Sequence, residues 1–319
     1  MIIVKSPFRI SFFGGSTDYE SFYKEHGSFI IGTTIDKYVY LSMRLRPSIL
    51  SNESVITYSK LQLVKTWDEI QNPLIRETLK HRNVEYPIEF NSFSDIPSRT
   101  GLGGSSSFCV GMLKLLNDVL NKKQDAKSLA KEAIQIERHI LNEPGGIQDQ
   151  IWPAYGGLNT IEIQTNGNFL VKPLPVTQDF LKELQDSMVM IYTDSQREQD
   201  TIAKSHDNKD KLSILKLAKE ANGYFIREDI KGIGELLFQT WKEKTKISNL
   251  ISTQKIDSIV TEVMNLGAYG VKLLGAGGCG FVLVLCDPIT KKKISERFER
   301  SIFNFEFEKN GVSQIYPGK

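Results

Sequence analysis

The chain has 319 residues, 40% hydrophobic and 24% charged, a globular composition long enough for about two domains of roughly 150 residues each. Forty Lys+Arg against 38 Asp+Glu leave a net charge of +2, which argues against a dedicated nucleic-acid binder, since such domains carry a basic excess. Three cysteines (Cys109, Cys279, Cys286) at no metal-binding spacing exclude a disulfide framework, no secretory core follows Met1, and no apolar run nears the ~20 residues of a membrane span, so a cytoplasmic protein is expected.

Extended chain is expected over residues 1–4 and 8–13, the second ending at Gly14-Gly15. Residues 28–45, rich in β-branched residues and Tyr, read as a long strand, and 88–93 as a short one. Residues 105–120 place Cys109, Met112, Leu113 and Leu116 on one helical face. A second helix over 127–141 stops at Asn142-Glu143-Pro144-Gly145-Gly146. Residues 157–173 read as a hairpin around Asn166-Gly167. The prolines of 173–179 mark a boundary, giving domains 1–175 and 176–319. The second domain begins with a strand over 187–193, followed by helices over 211–228, 230–244 and 253–266. Short strands at 270–274 and 280–286 flank a glycine loop, and a helix over 290–300 with two short strands ends the chain. This irregular alternation predicts an α+β fold rather than a purely parallel sheet.

Three glycine loops carry the chemistry. Pro97-Ser98-Arg99-Thr100-Gly101-Leu102-Gly103-Gly104-Ser105-Ser106-Ser107 runs directly into an apolar helix. First-turn N–H groups lack helical partners, so such a loop suits phosphate better than it suits a linker. Gly275-Ala276-Gly277-Gly278-Cys279-Gly280 has the GxGxxG spacing, but an apolar strand follows it where a dinucleotide fold needs a helix. It reads either as a loop admitting close backbone approach or as a wide hairpin turn. Phe13-Gly14-Gly15-Ser16-Thr17-Asp18-Tyr19 follows a strand bearing Arg9 and offers polar groups to a polyol, or is a surface turn held by Asp18.

Two carboxylates stand out. Glu137 shares a helical face with Ala130, Ile134 and Leu141, so it needs a divalent cation or a salt bridge. Asp149 stands between Ile147 and Ile151 after a glycine turn, placed for a general base or a helix N-cap. There is no GxxxxGK[ST], no protein-kinase catalytic loop and no HExxH, and His139 reads as structural.

Taken together, residues 7–19, 97–107 and 272–280 resemble, in order, the three motifs of the GHMP kinase superfamily, and Gly146-Ile147-Gln148-Asp149-Gln150 is similar to the catalytic segment of its sugar-kinase branch. The resemblance covers nearly the whole chain. It implies an N-terminal domain like the second domain of ribosomal protein S5, a ferredoxin-like C-terminal domain, and a site between them for ATP and Mg2+. By that resemblance Gly101, Leu102, Gly103, Gly104, Ser105, Ser106 and Ser107 surround the triphosphate. Ser105 and Glu137 hold the metal, and Asp149 takes the acceptor proton with Arg9 beside it. Gly15, Ser16 and Asp18 meet the sugar, while Gly275, Gly277 and Gly278 support the phosphate loop.

Departures narrow the acceptor. Gly15-Ser16 replaces the Glu-His of galactokinases, Gly104 stands where many members have Ser, and Phe108 where small residues are usual. The RISFFGGSTDY spelling is most similar to the branch that phosphorylates the anomeric hydroxyl of D-glycero-D-manno-heptose 7-phosphate, en route to nucleotide-activated heptose. A substrate phosphate needs a cationic clamp, for which Arg99, Arg197 and Lys204 are candidates. The partners implied are a small sugar phosphate and ATP, with neither nucleic acid nor membrane. The alternatives are a kinase for another sugar, fucose-like or galactose-like, an isoprenoid or amino-alcohol kinase, and a non-catalytic nucleotide- or sugar-binding regulator.

Overall fold

The computed structural model describes residues 1–47, 49, 52–193, 199–205 and 211–317, with 199–201 by backbone alone. The first half runs β1 (Ile2–Phe13), α1 (Glu20–His26), β2 (Ser28–Leu45), β3 (Ser54–Thr57), β4 (Leu61–Val64), α2 (Pro73–His81), β5 (Ile88–Ser94), α3 (Gly104–Val119), α4 (Ala126–Ile134), α5 (Gln148–Tyr155), β6 (Asn159–Ile163) and β7 (Phe169–Pro173). The second half runs α6 (Gln178–Asp186), β8 (Met188–Tyr192), α7 (Gln199–Ser205), α8 (Leu212–Ile226), α9 (Ile230–Thr245), α10 (Gln254–Asn265), β9 (Gly270–Leu273), β10 (Phe281–Leu285), α11 (Pro288–Arg297), β11 (Phe307–Glu308) and β12 (Ser313–Tyr316).

The length of β2 organises the first half. Its β-branched and aromatic content keeps it extended for 18 residues, long enough to pair with several strands in succession along one edge. Ser28–Gly32 pairs with β6 and Val39–Leu45 with β5, while β1 runs along the other edge, all antiparallel. The sheet continues from β5 through a parallel β3 to β4. Helix α3 lays Met112, Leu115 and Leu116 into the core that Phe8, Ile10 and Leu41 share.

The two strands expected before Gly14 are one. Pro7 has no N–H to give to a ladder, and β1 absorbs it at a register shift between Pro7 and Phe8 instead of breaking. The expected hairpin forms as β6 and β7, with Gly167 in the left-handed region at φ 79°. The helix expected over 127–141 covers the right span with the wrong pitch. It is α-helical only to Ile134 and continues as a π-turn, Gln135–Ile140. Among the described residues, seven elements were not expected: α1, β3, β4, α2, α5, α6 and α7. The Asn72-Pro73 pair at the start of α2 is a legible signal, since the Asn72 side chain accepts from the N–H groups of Leu74 and Ile75. Pro153 inside α5 hides that helix from a sequence reading.

The second half builds a three-stranded antiparallel sheet in the order β8-β10-β9, with a single bridge from Ile302 to Ile191 in the place of a fourth strand. Helices between β8 and β9 and α11 after β10 complete the ferredoxin-like succession. The division at 173–179 falls between β7 and α6, but the end of the chain does not stay in its own half. β11 pairs with β2 and β12 with β1, so residues 307–316 complete the first sheet. The halves also share a core, where Phe225 of α8 meets the rings of Phe12 and Phe13. No helix of the described residues is long and apolar enough to cross a membrane.

Candidate active site

A cleft of ≈ 860 Å³ opens where the three glycine loops converge, lined from both halves by Arg9, Gly15, Asp18, Gly101, Ser105, Glu137, Asp149, Lys244 and Gly275 among others. Gly101 and Gly103 take φ near 80°, and Gly103 caps α3 with no side chain bonded to the first-turn N–H groups. Residues 104–106 line the cleft, and as the first turn of α3 their amides have no helical acceptors and sit at the positive end of its dipole. The third loop packs directly behind. A Cβ on Gly275 would come within 2.3 Å of Gly101 Cα, so only glycine allows the two backbones to touch.

The residues expected at the phosphate loop do not share one task. Leu102 is a core residue, and its carbonyl accepts the Arg9 backbone N–H at 3.1 Å. Ser107 points away, its hydroxyl donating to the Pro7 carbonyl at 2.8 Å and its N–H to the Gly103 carbonyl at 2.9 Å. Gly278 also sits behind the cleft, donating to the Ile251 carbonyl at 2.8 Å, and Gly277 packs on Ile251. Of that loop's four glycines, only Gly275 reaches the cleft.

Glu137 is wholly buried. Ser105 Oγ donates to its Oε1 at 2.9 Å, and Ser106 Oγ and Gln150 Nε2 donate to Oε2, each at 2.6 Å. Among the described residues no ion pair reaches it, so the salt-bridge alternative fails. The π-turn adds a residue per turn locally, and the consecutive Glu137 and Arg138 both reach the cleft. A buried carboxylate and a hydroxyl at the foot of a phosphate-type loop are hard oxygen donors of the kind Mg2+ takes, together with phosphate oxygens and water. The residues fit that ion.

Asp149 stands in the first turn of α5 with no capping bond, so the N-cap alternative also fails. Arg9 Nε donates to its Oδ1 at 2.9 Å and Nη2 to its Oδ2 at 3.1 Å, while Nη1 donates to the Gly101 carbonyl at 2.6 Å. The guanidinium thus ties the carboxylate to the phosphate loop. Burial works to raise the Asp149 carboxyl, but the Arg9 charge and its two hydrogen bonds outweigh it and hold the group below the usual carboxylate range. Each carboxylate oxygen keeps a further lone pair, and 29% of the side chain remains exposed to the cleft.

Asp18 is built in beside the start of α5. Ser16 N–H and Gln148 Nε2 donate to its Oδ1, and Gln148 N–H donates to its Oδ2. Burial, with Asp149 adding, pushes its carboxyl up. Gly146 permits this contact, because a Cβ there would lie 1.8 Å from Asp18 Oδ2. Gly15 and Ser16 both line the cleft, Ser16 largely buried and at φ 80°. Of the clamp candidates, Arg99 lines the cleft, Lys204 is exposed on α7, and Arg197 lies outside the described residues.

Sequence reasoning missed three cations. Arg138 donates to the carbonyls of Gly146 and Glu143 at 3.0 and 3.1 Å and lines the cleft. Lys272 is buried and donates to the carbonyls of Ser11 and Phe12 at 2.9 and 2.6 Å, tying β9 to the end of β1. Lys244, near the end of α9, donates to the Gly275 carbonyl. No spacing links them to their partners, which lie up to 261 residues away.

Comparison with known proteins matches residues 68–157 to the GHMP kinases N terminal domain and 221–304 to the GHMP kinases C terminal domain, together more than half of the chain. A D-glycero-alpha-D-manno-heptose 7-phosphate kinase of Campylobacter jejuni is 27% identical, with 98% of each chain covered. A galactokinase of Pyrococcus furiosus is 25% identical over 94% of this chain and 93% of its own. The crystal structure of a D-glycero-D-manno-heptose 1-phosphate kinase from Bacteroides thetaiotaomicron superposes with a TM-score of 0.81 at 21% identity, covering 98% of both chains.

Proposed function

The chain belongs to the GHMP kinases, and from that premise we propose that it transfers the γ-phosphoryl group of ATP to the anomeric hydroxyl of D-glycero-D-manno-heptose 7-phosphate, giving the 1,7-bisphosphate. The observation that carries this reading is the Arg9–Asp149 pair, an ionised carboxylate tied to the phosphate loop in the cleft that Asp18 also lines.

The amides of residues 104–106 bind the β- and γ-phosphates of ATP. Ser105 and Glu137 hold Mg2+, which neutralises charge on the phosphate oxygens when bound. Asp18 accepts hydrogen bonds from sugar hydroxyls and orients C1 toward Asp149. Asp149 takes the anomeric hydroxyl proton as the oxygen attacks phosphorus, and Arg9 keeps that carboxylate ionised and aimed. Phosphoryl transfer of this kind depends on positioning and charge neutralisation, which is what this cleft supplies.

The similarity to a full-length heptose 7-phosphate kinase supports the acceptor, and the absence of Glu-His at Gly15-Ser16 argues against galactose. Arg138 lines the cleft beside Gly146, with guanidinium protons beyond those given to Gly146 and Glu143, and it suits the 7-phosphate. Arg138→Gln is expected to raise KM for the heptose phosphate at least about tenfold, since a charge-assisted hydrogen bond is lost, while KM for ATP stays put. Equal KM values for the heptose phosphate in the two proteins contradict that role. Glu137→Gln keeps the volume and loses the charge, so half-maximal activity is expected to need roughly tenfold more Mg2+. An unchanged Mg2+ titration removes Glu137 from the metal.

A further inference from the structure

Lys244 is a buried cation of the cleft that the reaction as described leaves without a task. It is 5% exposed, in the last turn of α9, and lines the cleft with Arg9, Asp18 and Asp149. An ammonium has three protons to donate. The Gly275 carbonyl takes one, and among the described residues no carboxylate pairs with Lys244. Lys272, buried to a similar degree, has two carbonyl acceptors and a clear structural place between β9 and β1. Burying a cation on one neutral acceptor is costly unless an anion arrives.

The position says which anion. Gly275, the acceptor of Lys244, touches Gly101, whose carbonyl accepts from Arg9, and Arg9 holds Asp149. Lys244 therefore stands beside the phosphate loop and within electrostatic reach of the Arg9–Asp149 pair, and it comes from the other half of the chain. The groups facing it are Arg9 of β1, Asp18, Asp149 of α5 and Lys272 of β9. Burial, with Arg9 adding, lowers the ammonium to about 8, while Asp18 and Asp149 work the other way.

We propose that Lys244 is a catalytic residue whose ammonium leaves the Gly275 carbonyl and binds the phosphoryl group during transfer. The bond from phosphorus to the ADP oxygen breaks and the bond to the acceptor oxygen forms. The acceptor proton goes to Asp149, and Lys244 stays protonated throughout. The inference rests on the kinase reading of this cleft and not on which sugar is the acceptor.

Lys244→Met is expected to lower kcat by about 10²–10³-fold, the usual loss for one donor to the transferring group, with ADP affinity unchanged and Lys244→Arg recovering part of the rate. A second measurement needs neither variant nor sugar. At about pH 8.5 part of Lys244 is neutral, so binding of ATP with magnesium takes up a fraction of a proton, and ADP takes up less. Calorimetry in buffers of different ionisation enthalpy reads this directly. Unchanged kcat in Lys244→Met overturns the proposal, as does equal proton uptake with ATP and ADP. Loss of ADP binding together with a lowered Tm in the variant also overturns it, since Lys244 is then only a tether for the Gly275 loop. Proton uptake with ATP but no turnover on heptose 7-phosphate leaves Lys244 in place and overturns the acceptor instead.

Discussion

Asp149→Asn is expected to lose turnover by about 10²–10⁴-fold while ATP still binds. The loss corresponds to about 3–5 kcal/mol of transition-state stabilisation. Two effects combine. The amide cannot accept the acceptor proton, and its NH2 group faces the Arg9 nitrogens that now bond both Asp149 oxygens. ATP affinity is expected to survive because the proposed phosphate contacts are backbone groups of residues 104–106, which the substitution leaves alone. Single-turnover kinetics with an ATP-binding isotherm separate the two, and a normal rate in this variant removes Asp149 from the base role.

Arg9→Met is expected to cost both stability and rate. Removing one partner of a buried ion pair typically costs about 3–5 kcal/mol, and the lower end applies here because Asp149 keeps 29% of its side chain exposed. The Gly101 carbonyl also loses its donor. The pH dependence gives the sharper signature. In the native protein Arg9 holds the Asp149 carboxyl below its ordinary range, so the base is ionised across neutral and mildly acidic pH and contributes no acid limb there. Without Arg9, only the more weakly acting charges of Arg138 and Lys244 still oppose burial, and the carboxyl rises. An acid limb then appears in kcat/KM, with activity falling as pH drops and returning as pH rises. Arg9→Lys is expected to lie between the two, because an ammonium cannot bond both carboxylate oxygens in the guanidinium geometry. A profile in Arg9→Met that matches the native one denies Arg9 this role.

The motifs were legible because each is a local backbone requirement. Glycines at 101, 103 and 275 are needed for left-handed turns, and an apolar stripe after Gly104 specifies a helix whose N-terminus faces the loop. Asp18, Glu137 and Asp149 were legible as carboxylates in apolar or glycine-rich surroundings that needed a reason. What the sequence hid is the pairing. The Ser105, Ser106 and Gln150 hydrogen bonds around Glu137 join α3, the π-turn and α5, and no spacing rule links those segments. The π-turn itself was invisible, because residues 127–141 keep an apolar pattern that an α-helix would satisfy equally well. Lys244 and Lys272 read as ordinary charged positions on a helix and a strand, and they become part of the cleft only when the second half docks on the first. The return of β11 and β12 to the first sheet was hidden for the same reason, since a short strand does not name its partner.

The most direct test of the central claim is to supply the protein with ATP and Mg2+ and a panel of heptose 7-phosphate, mannose 6-phosphate, fucose, galactose and mevalonate, reading the product by phosphorus NMR. The account predicts turnover on heptose 7-phosphate with the new phosphate at C1. Turnover confined to a neutral sugar, or phosphate arriving at any other carbon, contradicts it.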